Sequence, residues 1–241
     1  MRRLLIRPGA IGDVIVSLPA LEWLKTDYTE VWVPSPTVPL IQFADKASSI
    51  ASSRIDRLES HFVERFQQFD DVVSWYGSNQ DELLAINPRC RFLQALPRGG
   101  TIHATDFYAQ QVGAPIGLRP KITVESVARE TVVIHPFSGS DRKNWPYAQF
   151  QALAERLPLP VEWAHDRFEN LLDLAQWMAG ARLYIGNDSG ITHLAAATGT
   201  PTIAIFQASE PQLWSPRGAT VLLNPSLEQV LSSALSVCGR R

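Results

Sequence analysis

Five short apolar runs in the second half of the chain, TVVIH at 131–135, VEWA at 161–164, LYI at 183–185, TIAIF at 202–206 and TVLL at 220–223, alternate with segments of helical period. Pro146 predicts a helix start, because a first turn leaves its N–H groups unpaired and proline has none to lose; the pattern runs to about Leu157. Leu171, Leu174, Ala175 and Met178 share one helical face, and a last helix spans about Leu227 to Val237. Strands separated by helices must be parallel, since the crossover returns the chain to the same end of the sheet and lays helices over both faces. The expected fold class is α/β with doubly wound sheets.

The first half carries the same signal more weakly. LLIR at 4–7 reads as a strand, followed by the loop PGAIGD and by Ile11, Val14, Leu18 and Leu21 at helical spacing. Pro19 conflicts with a continuous helix, so a kink, or a helix whose regular part begins near Ser17, is expected. VWV at 31–33 and VVSWY at 72–76 read as strands, with a helix between them marked by Phe62, Phe66 and Phe69. The polar, serine-rich stretch 46–60 has no period that places it. The least structured join, GLRPKITVESVARE at 117–130, divides the chain into domains 1–122 and 123–241. Open parallel sheets bind ligands beyond the carboxyl ends of their strands, so two such halves facing each other would form a binding cleft.

Charge narrows what the chain binds. With 22 basic against 24 acidic residues and a formal net charge of −2, no generic polyanion-binding surface is indicated, and nucleic acid is not an expected partner. Cys90 and Cys238 are too few and too far apart for a disulfide framework or a cysteine metal site, which fits a reducing, cytoplasmic setting. Arg2 and Arg3 imitate the start of an export signal, but Arg7, Pro8 and Asp13 break the apolar run behind them. No stretch approaches the ~20 apolar residues that span a bilayer, so any membrane contact would be peripheral. Nothing in the sequence indicates an oligomer.

Three segments carry candidate chemistry. In GNDSG at 186–190, Asp188 and Ser189 sit between a strand and a short helix, where they can cap the helix or, with Gly190, present backbone amides to an anion. Asp188 would then accept hydrogen bonds from a ligand's hydroxyls. His193 follows one turn later, and half-buried packing against the sheet accounts for it better than catalysis does, although it remains a candidate donor contact. In HPFSGSDRKNWP at 135–146, Ser138 and Gly139 belong to a small-residue loop that Lys143 supplies with a positive charge, a combination suited to a diphosphate; the alternative is a surface lysine beside a Trp145 anchor. In RPGAIGD at 7–13, Gly9 and Gly12 precede Asp13, a candidate general base or a helix cap. His61, His103, His135, His165 and His193 show no paired ligand spacing, so no metal is expected.

These segments, together with HATDFYAQQVGAP at 103–115, resemble glycosyltransferase family 9, the heptosyltransferases: IRPGAIGDVIVSLPAL, HPFSGSDRKNWPYAQFQALAERL and AGARLYIGNDSGITHLAAATGTPTIAIF occur in the family's order. The resemblance implies a GT-B fold of two Rossmann-like domains, an acceptor-side N-terminal one and a C-terminal one that binds the nucleotide sugar. It also implies inverting transfer of a heptose-like sugar, ADP-linked, to a hydroxyl of a glycan or glycolipid such as the lipopolysaccharide core, without cofactor or metal. Asp13 matches the proposed base, Lys143 the lysine on the donor phosphates, and 188–190 the donor-binding loop. Arg2, Arg3, Trp75 and Tyr76 are candidates for the acceptor surface. The chain is shorter than its family, has VEWAHDRFE where relatives carry a glycine-rich turn, QASEPQLW where they carry a Gly-Pro-Thr type turn, and Phe137 in place of a glycine. The alternatives are a relative that binds a nucleotide or glycan without turnover, and an epimerase of the same architecture.

Overall fold

The computed structural model describes residues 1–97, 101–164, 168 and 170–239. The chain forms two units, Met1–Gly100 with Ala104–Leu118, and Thr101–His103 with Arg119–Arg241. The first contains β1 (Arg2–Ile6), α1 (Ile11–Trp23), β2 (Tyr28–Val33), β3 (Lys46–Ser49), α2 (Ile50–Ser53), α3 (Ser60–Gln67), β4 (Asp71–Ser74), α4 (Gln80–Ile86), β5 (Cys90–Phe92) and α5 (Ala104–Gln111). Its five strands are parallel in the order β3-β2-β1-β4-β5. The chain winds outward from β1 through β2 to β3, then restarts on the other side with β4, so the strand order reverses between β1 and β4.

Leu4 and Ile6 face a cluster of Trp32, Phe62, Phe66 and Phe69, all buried. Phe62 and Phe66, one helical turn apart on α3, stack with ring centroids 5.1 Å apart, and Trp32 meets Phe69 edge-on at 6.4 Å. Phe69 lies just beyond the end of α3 and packs from the turn. Burying Glu30 beside these rings requires a partner for its charge, which Arg65 supplies from α3 while the Trp32 indole donates to the same oxygen.

The structure corrects the helix start expected near Ser17 and places one stretch that the sequence left open. The α1 helix begins at Ile11 and continues through Pro19. Proline costs it one backbone bond, to the Ile15 carbonyl, but the segment Val14–Leu21 is buried throughout, and that packing outweighs the propensity. The stretch 46–60, which had no readable period, contains the edge strand β3 and the short helix α2, capped by Ser49 accepting from the Ser52 amide at 3.0 Å. As an edge strand packed less tightly than its neighbours, KASS needs no apolar run, and a lysine there discourages pairing with another chain.

The second unit contains β6 (Arg129–His135), α6 (Tyr147–Arg156), β7 (Val161–Trp163), α7 (Leu171–Ala179), β8 (Ala181–Asn187), α8 (Gly190–Ala197), β9 (Thr202–Phe206), α9 (Pro211–Trp214), β10 (Thr220–Leu223) and α10 (Leu227–Cys238). Its parallel sheet runs β10-β9-β8-β6-β7, with the reversal between β6 and β8. One face of the sheet, with Ile134, Ile185 and Ile203, packs on Trp145, Phe150 and Leu153 and on Val230 and Ala234 of α10. Both sheets are of the Rossmann-like α/β kind. The loop after β7, whose sequence differs from the family's glycine-rich turn, includes His165, Asp166, Arg167 and Glu169, which lie outside the described residues.

Candidate functional site

In the second unit the strand-order reversal lies between β6 and β8, so the loops following those two strands diverge and leave room for a ligand. Those loops hold the residues that the sequence singled out. Lys143, from the 3₁₀ turn Asp141–Lys143, donates to Asp188 Oδ2 at 2.7 Å, and Ser209 Oγ donates to the same oxygen at 2.5 Å. Asp188 is only 5% exposed, a burial that its charge tolerates because a lysine and a hydroxyl meet it. The Lys143 side chain is 39% exposed and, with three N–H donors, keeps capacity for a second acceptor.

Asn187 fixes this loop pair. Its side chain is fully buried; Oδ1 accepts from the Trp145 amide at 2.9 Å and Nδ2 donates to the Pro136 carbonyl at 2.6 Å. One amide group thereby ties both ends of the 136–145 loop to β8, which sets where Lys143 stands. Trp145 is the expected anchor, buried with its indole donating to Pro225 O at 3.0 Å. Ser189 is the N-cap of α8, its Oγ accepting from the Thr192 amide at 3.3 Å. Gly190 opens the helix, whose first N–H groups have no acceptor within it.

Other expected residues behave differently. The Ser138 hydroxyl bridges its own loop, 2.7 Å from Asn144 Oδ1 and 2.9 Å from the Ser140 carbonyl, so it shapes the turn that presents Lys143. Gly139 has open space where a side chain would stand. His193 is buried within α8, 6% exposed. Phe137 is 48% exposed and stacks on Tyr147 at 6.1 Å, and Tyr147 in turn meets Trp163 at 5.8 Å, a line of rings past the ends of β6 and β7.

In the first unit the reversal lies between β1 and β4, and the loop after β1 is RPGAIGD. Asp13 is the third residue of α1, and its Oδ2 accepts from the Ala10 amide at 2.8 Å. Oδ1 accepts no hydrogen bond among the described residues. Gly9, at φ +125°, lies against the Asp13 side chain, where a Cβ would come 2.7 Å from Asp13 Cβ. Gly12 is the second residue of α1.

Arg7 was overlooked in the sequence. The residue is 1% exposed and among the described residues pairs with no carboxylate; Nη1 donates to Pro8 O at 2.6 Å, Nη2 to Asp13 O at 3.0 Å and to Tyr108 OH at 2.8 Å, and Nε to Ser17 Oγ at 3.1 Å. It closes the loop from Pro8 to Asp13 like a staple, and burial pulls its pKa below the ordinary guanidinium value. Among the acceptor-surface candidates, Arg2 and Arg3 stand at the amino end of β1, where Arg3 pairs with Asp71 at 2.6 Å. Trp75 is wholly buried. Tyr76 alone lines a cavity of about 650 Å³ at the carboxyl ends of the strands, with Pro8, Pro34, Ile50 and Arg54.

Residues 169–234, from the approach to α7 into α10, match the family model for glycosyltransferase family 9 (heptosyltransferase). The chain resembles glycosyltransferase family 9. The matched region contains Asp188, Ser189, Gly190, His193 and Ser209, and so half of the lysine–aspartate pair. No curated protein matches the chain by sequence. Among solved structures, the chain is similar to ADP-heptose lipopolysaccharide heptosyltransferase II of E. coli (TM-score 0.81, 16% identity, 99% of this chain and 98% of that one). It is also similar to a family 9 glycosyltransferase from Veillonella parvula (0.75, 17%, 98% and 97%). A third likeness is to the E. coli heptosyltransferase WaaC with ADP (0.67, 18%, 98% of each). At these identities the likeness shows the fold, a two-unit α/β architecture of the heptosyltransferase kind. Among the described residues no group of three or more His, Cys, Asp or Glu could hold a metal ion, and no helix is long and apolar enough to cross a membrane.

Proposed function

We propose that this protein is an inverting, metal-independent glycosyltransferase that moves a heptose-like sugar from a nucleotide diphosphate, ADP, to a hydroxyl of a cell-surface glycan such as the lipopolysaccharide core. The observation that carries this reading is the Lys143–Asp188 pair beside the N-terminus of α8, at the strand-order reversal of the second unit. A lysine and free helix amides are what a departing diphosphate requires, and they meet negative charge without a divalent ion. Asp188 and Ser209 offer oxygen atoms to ligand hydroxyls, while the exposed faces of Phe137 and Tyr147 offer a base a surface to stack on. The heptosyltransferase structure solved with ADP has the same fold, which supports the choice of nucleotide.

In the first unit, Asp13 takes the acceptor's proton as its oxygen attacks the anomeric carbon, and the proton ends on the carboxylate. The cavity lined by Arg54 and Tyr76 receives a glycan or glycolipid acceptor. In this reading the enzyme works in the cytoplasm, peripheral to the inner membrane when the acceptor is lipid-linked. A second reading, a binding protein without turnover, is favoured by one observation: Asp13 Oδ2 already accepts from the Ala10 amide at 2.8 Å, which leaves one carboxylate oxygen for an acceptor hydroxyl.

The test is calorimetric titration of the parent and Lys143→Ala with ADP, UDP and GDP, followed by a transfer assay with ADP-heptose. Selective ADP binding, about 10-fold or more weaker in the variant, supports the donor site. Equal affinity in both proteins removes Lys143 from it. ADP binding with no release of ADP from ADP-heptose in the presence of acceptor glycan selects the binding protein.

A further inference from the structure

A positively charged cavity lies elsewhere in the second unit, apart from the Lys143–Asp188 pair. It has a volume of about 500 Å³ and is lined by Arg119, Lys121, Thr123, Thr198, Arg217 and Gly218, among others, with no acidic residue in its wall. Its wall includes the end of α8 and the residues just before β9 and β10, so it opens at the amino ends of the strands. Lys143 and Asp188 follow the carboxyl ends, so the two sites occupy opposite edges of one sheet.

Three features bear on why these cations are gathered. The first is their packing: Gly218, at φ +90°, lets the Arg119 guanidinium lie so close that a Cβ there would be 3.1 Å from Nη1, which brings Arg119 beside the residue adjoining Arg217. Among the described residues neither Arg119 nor Lys121 forms an ion pair. Like charges held close together repel, and an anion relieves that cost.

The second is the state of the α8 C-terminus, whose partial negative charge is the obvious structural reason for cations nearby. Its last carbonyls are satisfied by other groups. The Thr198 amide reaches Leu194 O at 3.2 Å and the Thr198 hydroxyl reaches Ala195 O at 2.8 Å. The Gly199 amide donates to Ala196 O at 3.1 Å and the Ile122 amide to Ala197 O at 2.9 Å. The third is the orientation of Arg217. Its Nε donates to His103 Nδ1 at 3.2 Å, so His103 carries its proton on Nε2 and donates it to Ser215 O at 2.8 Å. The His103 ring thus holds the Nε side of the Arg217 guanidinium.

We infer that this cavity binds a phosphate-bearing ligand, held by Arg119, Lys121 and Arg217, at a site separate from that of the sugar nucleotide. The chemistry is that of a phosphomonoester or diphosphate, from a soluble metabolite or a lipid headgroup. Recognition rests on the Arg119 guanidinium fork and the Lys121 ammonium, with the Arg217 cation in the same wall.

The test uses the full chain with Lys143→Ala, which disables the other anion site, and titrates inorganic pyrophosphate against it with and without Arg119→Glu and Lys121→Glu. The expected result is binding that the charge reversals weaken by about 10-fold or more. The reversals alone leave ADP affinity as in the parent, which shows that the protein is folded. Sedimentation with phosphatidylglycerol or phosphatidylcholine vesicles separates the sources. Binding to the anionic vesicles that the reversals abolish assigns a lipid headgroup, and pyrophosphate binding without vesicle binding assigns a soluble ligand. Pyrophosphate and vesicle binding both absent, or both unchanged by the reversals, overturns the inference. Because ADP affinity is read separately, failure here leaves the proposed donor site untouched.

Discussion

Arg7 and Asp13 show how much depends on single side chains in the loop after β1. Arg7 donates to the carbonyls of Pro8 and Asp13 and is itself fixed by Tyr108 of α5. Arg7→Met keeps the volume but leaves two carbonyls without their donor, and should lower the unfolding free energy of the first unit by about 2–4 kcal/mol, measured in urea. Arg7→Lys, which restores one charge and not the fork, should recover only part of that loss. Asp13→Ala should abolish transfer, about 10²- to 10⁴-fold, with ADP affinity unchanged, since a base acts on the acceptor's proton. Unaltered turnover in that variant would remove Asp13 from the mechanism. The sequence marked Asp13, Lys143 and Asp188 because charged residues after apolar runs in an α/β pattern fall at strand ends. It did not mark Arg7 or Asn187, because nothing local separates a buried arginine or a buried asparagine from surface ones; their roles come from partners up to 101 residues away.

At the scale of elements, β8 and α8 are joined by a device that depends on a missing side chain. The Tyr184 ring crosses over Gly186, where a Cβ would come 2.5 Å from its hydroxyl, and reaches Thr192 Oγ1 in the first turn of α8 at 3.2 Å. Gly186→Ala should therefore push the ring away and shift the start of α8, costing about 1–3 kcal/mol in stability and weakening ADP binding. Tyr184→Phe, which keeps the ring and loses only the hydroxyl, should leave ADP affinity within about 3-fold of the parent. Equal ADP affinity in Gly186→Ala and the parent would show that α8 does not touch the ligand. Element positions in the second unit were legible because its central strands β6, β8 and β9 are largely buried apolar runs and α7 and α10 have apolar faces. The first unit was read less well: β3 is a polar edge strand, and the continuity of α1 through Pro19 is decided by burial that no local rule can see.

For the whole molecule, pH is a probe of burial. Cys90 and Tyr108 in the first unit are each pushed up to about 12, and Tyr184 in the second is raised as well, in every case chiefly by burial of the neutral form. In the unfolded chain these groups lose their protons near their ordinary values, about 9 for the thiol and 10 for the phenols. Their contribution to stability is complete below those values and is lost as the pH rises towards 12. The urea midpoint should thus hold steady from pH 7 to 8.5 and fall above pH 9, with a shallower fall in Cys90→Ala. A midpoint that is flat to pH 11 would contradict the burial of these groups. The alternation of elements made the two-unit α/β architecture readable from sequence, whereas the Lys143–Asp188 bond and the gathering of Arg119, Lys121 and Arg217 at the other ends of the strands were not, since each joins residues from separate segments.

Lys143 already has its counter-ion within the fold. A diphosphate arriving there meets a nearly neutral lysine–carboxylate couple, so what takes place is ion exchange, in which phosphate oxygens share an ammonium that Asp188 continues to hold. Such a site discriminates against small loose anions. Chloride or sulfate gains little from half a cation, and only a ligand with further anchoring groups can complete the exchange.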